Sequence, residues 1–193
     1  MMGDDSVTKP AKDEGVEMRT RIFDLVHRYP GLHLRDIQRR ASTSAALAEY
    51  HLNLLEKWGL VKSTKEHGRR RFFPARSPRI ALSKDDQRVI SLMRQRIPLG
   101  IVLLLLEGEQ ATHGELSTAL NVHKSTMTYN LRKLIDAGVV LPALADGRAL
   151  SLCDREHVLT LLRAYEPSPD LIGAYAQLWE NLFDALWPGA GKE

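Results

Sequence analysis

Between residues 123 and 140 the chain reads HKSTMTYNLRKLIDAGVV, and one side of that stretch consists of groups that donate hydrogen bonds. At about 100° per residue, Ser125, Thr126, Tyr129, Arg132 and Lys133 share a helical face: two hydroxyls, a phenol, then two cations. Such groups bond to phosphate oxygens or to base edges, and the fork of an arginine can also meet a guanine. Thr128 lies on the same polar side. His123 and Lys124 stand at the helix start, where backbone N–H groups already favour an anion. The opposite side carries Met127, Leu131, Leu134 and Ile135 at i, i+4, i+7 and i+8, which predicts one buried stripe. Gly138 supplies a left-handed stop, and Val139 and Val140 begin a strand. In isolation, the polar side would suit the solvated face of any amphipathic helix.

The stretch has a twin. With the numbering shifted by 79, residues 41–61 (ASTSAALAEYHLNLLEKWGLV) lie over residues 120–140 without a gap. The register holds from Ile22/Ile101 and Leu25/Leu104, through Tyr50/Tyr129, Leu52/Leu131, Leu55/Leu134, Gly59/Gly138 and Val61/Val140, to Gly68/Gly147 and Arg69/Arg148. Identities at one fixed offset, mostly at apolar or glycine positions, predict a duplicated unit of about 60 residues.

Composition bounds what such a chain can be. With 193 residues, 44% apolar and 26% charged, it is an ordinary globular protein with room for one or two cores. The single Cys153 excludes an internal disulfide and a thiolate cluster for zinc, and reads as a small buried thiol at a strand end. Seven scattered histidines show no ligand spacing, so no metal site is expected, and His51 reads as a packed or backbone-bonded residue. The most apolar run, residues 97–106, is far short of the roughly 20 residues needed to span a bilayer. The first residues lack the apolar core of a signal peptide, so a cytoplasmic address is expected. No glycine-rich phosphate loop, nucleophile elbow or paired carboxylates appear, which argues against an enzyme, and no cofactor is expected. The net charge of +3 conceals an uneven distribution. Residues 1–18 hold two basic against five acidic residues, residues 19–80 fourteen against five, residues 81–153 eight against seven, and residues 154–193 three against seven. A positive first repeat and a negative tail suit a polyanion-binding module joined to a part that avoids the polyanion.

In order, residues 1–18 are small, charged and aperiodic, and are expected to form a disordered tail. Residues 19–80 predict helix, helix, helix, hairpin: Arg19 to about Arg28, then Leu34 to Arg40, then roughly Ser44 to Lys57, and strands at 60–64 and 70–74 around a tip at 65–69. A connector helix follows over 81–97, started by Ser83 with Asp85 and Asp86. Residues 98–153 repeat the order, from Pro98 through the Thr112 and Glu115 capping box to strands at 139–144 and 149–153 around Asp146, Gly147 and Arg148. The tail, 154–193, predicts a short helix and then one long helix from Ser168 to about Trp187. Leu171, Tyr175, Leu178, Leu182 and Leu186 form its apolar stripe, widened by Trp179, Phe183 and Trp187. That much apolar surface needs cover. It suits a two-fold dimer, with folding back on its own chain as the alternative.

VHKSTMTYNLRKLIDAGVV and AEYHLNLLEKWGLV, each followed by a Gly-Arg hairpin, resemble the helix-turn-helix and wing of ArsR- and MarR-type winged-helix transcriptional regulators. The order of two such units and a terminal helix resembles the tandem winged-helix regulators frequent in archaea. The resemblance covers residues 19–153. It implies a mainly α fold with small β-hairpin wings, two tandem winged-helix domains plus a C-terminal dimerisation helix, and a homodimer that binds double-stranded DNA, with the third helix of a unit in the major groove and the wing along the backbone or minor groove. In the second unit the expected contacts are His123, Lys124, Ser125, Thr126, Thr128, Tyr129, Arg132, Lys133 and Arg148. The first unit departs from the pattern. Its third helix offers Ala46, Leu47, Tyr50, Asn53 and Leu54, with Glu49 where the second has Thr128, and its cations lie instead on Arg35, Arg39, Arg40, Arg69, Arg70 and Arg71. That unit would hold DNA through backbone charge, with Tyr50 beside it, while the second reads sequence; alternatively Leu47, Tyr50 and Leu54 form a protein contact. A protein-interaction scaffold and a non-specific architectural DNA-binding protein are the other readings.

Overall fold

The computed structural model describes residues 12–66, 68–76, 79–143 and 148–182. They fall into two compact units, one built from residues up to 28 and from 32 to 76, the other from residues 29–31 and those after 76. The first unit comprises α1 (Lys12–Arg28), β1 (Leu32–His33), α2 (Leu34–Ala41), α3 (Ala45–Lys57), β2 (Val61–Glu66) and β3 (Arg69–Pro74). The second comprises α4 (Lys84–Met93), α5 (Arg96–Gly108), β4 (Gln110–Thr112), α6 (His113–Ala119), α7 (Lys124–Asp136), β5 (Val140–Pro142), β6 (Ala149–Leu152), α8 (Arg155–Ala164), α9 (Pro169–Ala174) and α10 (Ala176–Asn181).

The duplication is present in three dimensions at the offset of 79. α3 and α7 match residue for residue. His33 caps α2 by accepting from the Asp36 N–H, as Thr112 caps α6 by accepting from Glu115, and Ser44 and His123 cap the third helices in the same way. The left-handed positions coincide as well: Ser42 and Asn121 in the turns before the third helices, Gly59 and Gly138 after them. Each unit closes with an antiparallel three-stranded sheet, ordered β1-β3-β2 and β4-β6-β5. The expected hairpins are therefore incomplete descriptions. A two- or three-residue strand just before the second helix of each unit pairs with the far hairpin strand and makes it central. A segment that short carries no alternation to be read.

Buried apolar side chains hold each unit: Ile22, Val26, Ile37, Leu52, Leu55 and Phe72 in the first, Ile101, Leu103, Leu106, Met127, Leu134 and Leu161 in the second. Each contributes about 1.5–3 kcal/mol by leaving water. α5 is apolar almost all round because α4, α7, β4, β6 and α10 pack on it from several sides.

Several expectations are corrected. Residues 12–18 are helical and extend α1 back from Arg19; Glu14 and Glu17 sit near its start, where the helix dipole favours acids. The connector does not run to residue 97: α4 ends at Met93, Gln95 is extended, and α5 starts at Arg96 at 99° to α4. Proline explains the break, since Pro98 inside a continuous helix would strike the carbonyl of Arg94, whereas in the first turn of α5 it is harmless. As far as the described residues reach, the long terminal helix is two short ones, broken at Tyr175 (φ −132°, ψ 33°), whose hydroxyl donates to the Arg96 carbonyl at 2.8 Å; the expected end near Trp187 lies outside the described residues. Ile135 is 43% exposed, and Asn130 takes the buried place, donating to the Thr126 carbonyl at 2.8 Å. Cys153 is exposed, not buried.

Ser83 and Asp86 form a reciprocal capping box at the start of α4, and Asp86 also meets His157 at 2.7 Å. Burial pushes the Asp86 carboxyl up, but bonds from the Ser83 hydroxyl and N–H and from His157 outweigh it and hold the pKa below the ordinary aspartate value. A depressed carboxylate stabilises the fold above the unfolded pKa of about 3.9, and that stability is lost as pH falls through the folded pKa. Asp86→Asn is expected to cost about 1 kcal/mol at neutral pH and to flatten the acid limb of the stability curve. An acid limb equally steep in the variant rejects the assignment.

Candidate nucleic-acid interface

In the second unit α6 and α7 meet through a tight turn at Leu120 and Asn121, and α7 is the helix that faces outward. Met127, Leu131 and Leu134 pin its inner side, which leaves the other side to water. Ser125, Thr128, Tyr129 and Arg132 are exposed and Thr126 is half-buried. The expected face is thus brought together, but its members differ in freedom. The Ser125 N–H and hydroxyl both bond to His123 Nδ1, at 3.3 and 2.8 Å, so His123 is occupied as the helix cap. Lys133 donates to Gln95 Oε1 at 3.0 Å and lies 4.5 Å from the centre of the Tyr129 ring. Arg132 and Lys124 make no hydrogen bond or ion pair among the described residues, and Tyr129 is 58% exposed. Arg148 is exposed at the start of the last sheet strand; Asp146 and Gly147 lie outside the described residues.

In the first unit the equivalent ridge is less polar. Leu47 and Tyr50 are exposed and Leu54 is half-buried. Arg35 and Arg39 are exposed on α2, Arg39 lying 3.7 Å from Asp36, while Arg40 is half-buried. The wing arginines diverge. Arg69 is exposed. Arg70 is engaged by Glu56, by the Ser63 hydroxyl at 3.3 Å and by Glu49 at 3.9 Å. Arg71 is 6% exposed, which corrects its place among the phosphate contacts. It sits opposite His33 and Thr64 on the central strand, walled on both sides by backbone that a two-stranded hairpin would not supply. A concavity of about 670 Å³ between α2, α3 and the wing is lined by Arg35, Gln38, Glu49, Arg69 and Arg70. His33, beside it, has its pKa lowered, by burial first, with Asp36 opposing and Arg71 and Arg69 adding to the fall.

Two family models match the chain. One, described as an N-terminal HTH domain, covers residues 16–81; the other, a helix-turn-helix domain, covers residues 96–142. The chain is a tandem helix-turn-helix protein. A protein of Methanocaldococcus jannaschii named as an uncharacterized HTH-type transcriptional regulator is 26% identical over 129 residues, 64% of this chain and 30% of the relative. This chain therefore spans less than a third of that relative's length.

Within the second helix-turn-helix, one residue that the sequence did not single out, His113, helps to set the outward helix. His113 Nε2 lies 2.9 Å from Thr128 Oγ1, whose hydroxyl also lies 2.9 Å from the Lys124 carbonyl, so α6 and α7 are tied at their outer edge. A carboxylate at the Thr128 position, as Glu49 is in the first helix-turn-helix, turns instead to the wing cation Arg70. The side chain at this one position therefore separates the two copies. Among the described residues no group of three or more His, Cys, Asp or Glu is placed to hold a metal, and no single helix is long and apolar enough to cross a membrane.

Proposed function

We propose that this tandem helix-turn-helix protein is a DNA-binding transcriptional regulator that reads duplex DNA with α7 and acts as a homodimer. The observation that carries the reading is the outward ridge of α7, where Ser125, Tyr129 and Arg132 stay exposed on a helix whose other side is locked into the core. Tyr129 and Arg132 read base edges, Lys124 and Arg148 meet phosphates, and His123 presents Ser125 and the first N–H groups to the backbone. Lys133, already bound to Gln95, orients Tyr129 more than it binds phosphate. The first unit holds the backbone with Arg35 and Arg69, which line its concavity, and with Arg39, exposed on the same helix as Arg35; Tyr50 is exposed on α3.

For the dimer, Trp179 and Leu182 pack against their own chain, which favours folding back for that part of the stripe. Leu171, Tyr175 and Leu178 keep partial exposure and are the described residues on offer to a second copy; Phe183 and Leu186 lie outside the described residues. Leu178→Arg is expected to shift sedimentation toward monomer, and an unchanged mass sinks this part alone.

The deciding experiment selects bound duplexes from random oligonucleotides and compares their affinity with random-sequence DNA at fixed salt. A regulator is expected to show a ratio of roughly a thousandfold or more. A ratio near one would make the protein architectural, and negligible binding at moderate salt would make it an interaction scaffold. Arg69→Ala is expected to weaken binding to all sequences alike and to lower the salt slope by about one. Arg71→Ala should act on folding instead, because the side chain is buried.

A further inference from the structure

The first unit carries a cleft of about 880 Å³ between the start of α1 and the outer side of α3. Val16, Met18, Leu47 and Tyr50 supply apolar wall, and three of these are exposed large hydrophobics: Val16 at 52%, Leu47 at 42% and Tyr50 at 56%. Arg19 and His51 also line it. His51 is 2% exposed, and neither of its ring nitrogens has a hydrogen-bond partner among the described residues; the same holds for the buried Nε of Arg19. A buried unpaired group forfeits its hydration with nothing in return, and native proteins bury few of them without a reason. Three nitrogens without partners on two neighbouring residues at one cleft are such a concentration.

Their chemistry specifies what would satisfy them. An arginine Nε–H only donates, and a neutral imidazole presents one N–H and one acceptor nitrogen that becomes a second N–H on protonation, so an anionic acceptor is the partner that satisfies all three. The guanidinium is held 4.6 Å over the Trp58 ring, which positions it without neutralising its charge. Burial first, and the nearby Arg19 charge second, lower the His51 pKa and keep the ring neutral until an anion joins it. Tyr50 lies edge-on to His51 with ring centres 5.2 Å apart. Being exposed, it is a cover that turns aside at little cost. Glu14 and Glu17, both exposed, line the cleft together with Arg21, and these carboxylates disfavour a polyanion there more than a small singly charged ligand.

We propose that this cleft is a binding site for a small carboxylic acid with an apolar body, its carboxylate accepting from Arg19 and His51 and its body lying against Leu47, Tyr50 and Met18. A phosphate of the DNA backbone is the rival source of negative charge. It is disfavoured by the depth of the nitrogens, the apolar walls and the two carboxylates in the lining.

The test titrates the full chain with hexanoate, phenylacetate, hexanamide, inorganic phosphate and a random-sequence duplex. The small molecules are taken to about 10 mM, where a site with a dissociation constant of about 1 mM is already largely filled. The His51 ring signals are followed by NMR and assigned from their loss in His51→Leu. Expected are saturable shifts with both carboxylates, a rise of the His51 titration midpoint on saturation, no response to hexanamide, and binding at least about tenfold weaker in Arg19→Met. Silence with both carboxylates overturns the proposal. So does an equal response to hexanamide, an unchanged affinity in Arg19→Met, or a shift evoked only by phosphate or the duplex. The comparison of acid with amide is made on the unaltered protein, so it stands if either variant fails to fold. Because His51→Leu removes unpaired buried nitrogens, its melting temperature is expected to equal or exceed that of the parent.

Discussion

Replacing Tyr129 and Arg132 together by alanine is expected to lower affinity for a selected duplex by about a hundredfold, while affinity for random-sequence DNA falls far less. Each well-formed contact to a base edge discriminates by about 1–3 kcal/mol, so losing two removes roughly 2–6 kcal/mol from the specific complex, and a hundredfold lies toward the lower end of that range. The random-sequence complex loses at most one phosphate contact, about one unit of salt slope. The pair is suited to the experiment because both side chains leave the core untouched: Tyr129 is 58% exposed and Arg132 is exposed on the far side of the helix from Met127 and Leu134. Stability should therefore stay within about 0.5 kcal/mol. Competition binding at one salt concentration measures both affinities, and an equal loss on both duplexes would move sequence reading away from α7. Lys133→Gln is the internal comparison. Its ammonium is already committed to Gln95, and a smaller effect is expected.

The second large effect concerns the frame behind that helix. Arg94 caps α4, is 8% exposed, and spends its guanidinium on three main-chain carbonyls: Pro30 at 3.0 Å, Tyr165 at 3.3 Å, and Glu166. The Tyr29 ring lies 5.7 Å from its charge centre. Arg94→Met keeps the apolar stem and strands three acceptors, so it is expected to cost about 3 kcal/mol. Urea unfolding followed by amide exchange on α4 and α8 would register it as a lowered midpoint with early loss of protection there. Arg94→Lys should recover only part, because one ammonium lacks the planar fork that reaches several carbonyls at once. An unchanged midpoint in the methionine variant would mean that these carbonyls are served by water instead.

Arg94 also shows where reading residues in order stops. Nothing local marks it: it stands at the end of a helix among other charged residues, and its partners are 64, 71 and 72 positions away. Arg71 is the same lesson with the opposite sign. In a run of three arginines beside a glycine every member reads as a phosphate contact. Its burial follows from β1, a strand of two residues that makes β3 central. Glu49, which stands where the second unit has Thr128, lies against Arg70 beside Glu56. Tyr175 was one member of an apolar stripe until its hydroxyl found the Arg96 carbonyl and the helix broke there.

What the amino-acid order determined by itself is the repeated module and the outward face of its third helix. Those rest on local physics: a 3.6-residue period, caps within three residues of a helix start, and left-handed positions at Gly59 and Gly138 that recur 79 residues apart. Tertiary structure alone decided which cations are engaged by neighbouring groups, that Trp179 and Leu182 of the terminal stripe are buried, and that Arg19 and His51 meet at one cleft. Charge pairing and burial depend on distances between residues far apart in the chain. Those distances exist only once the helices and the short third strands have packed.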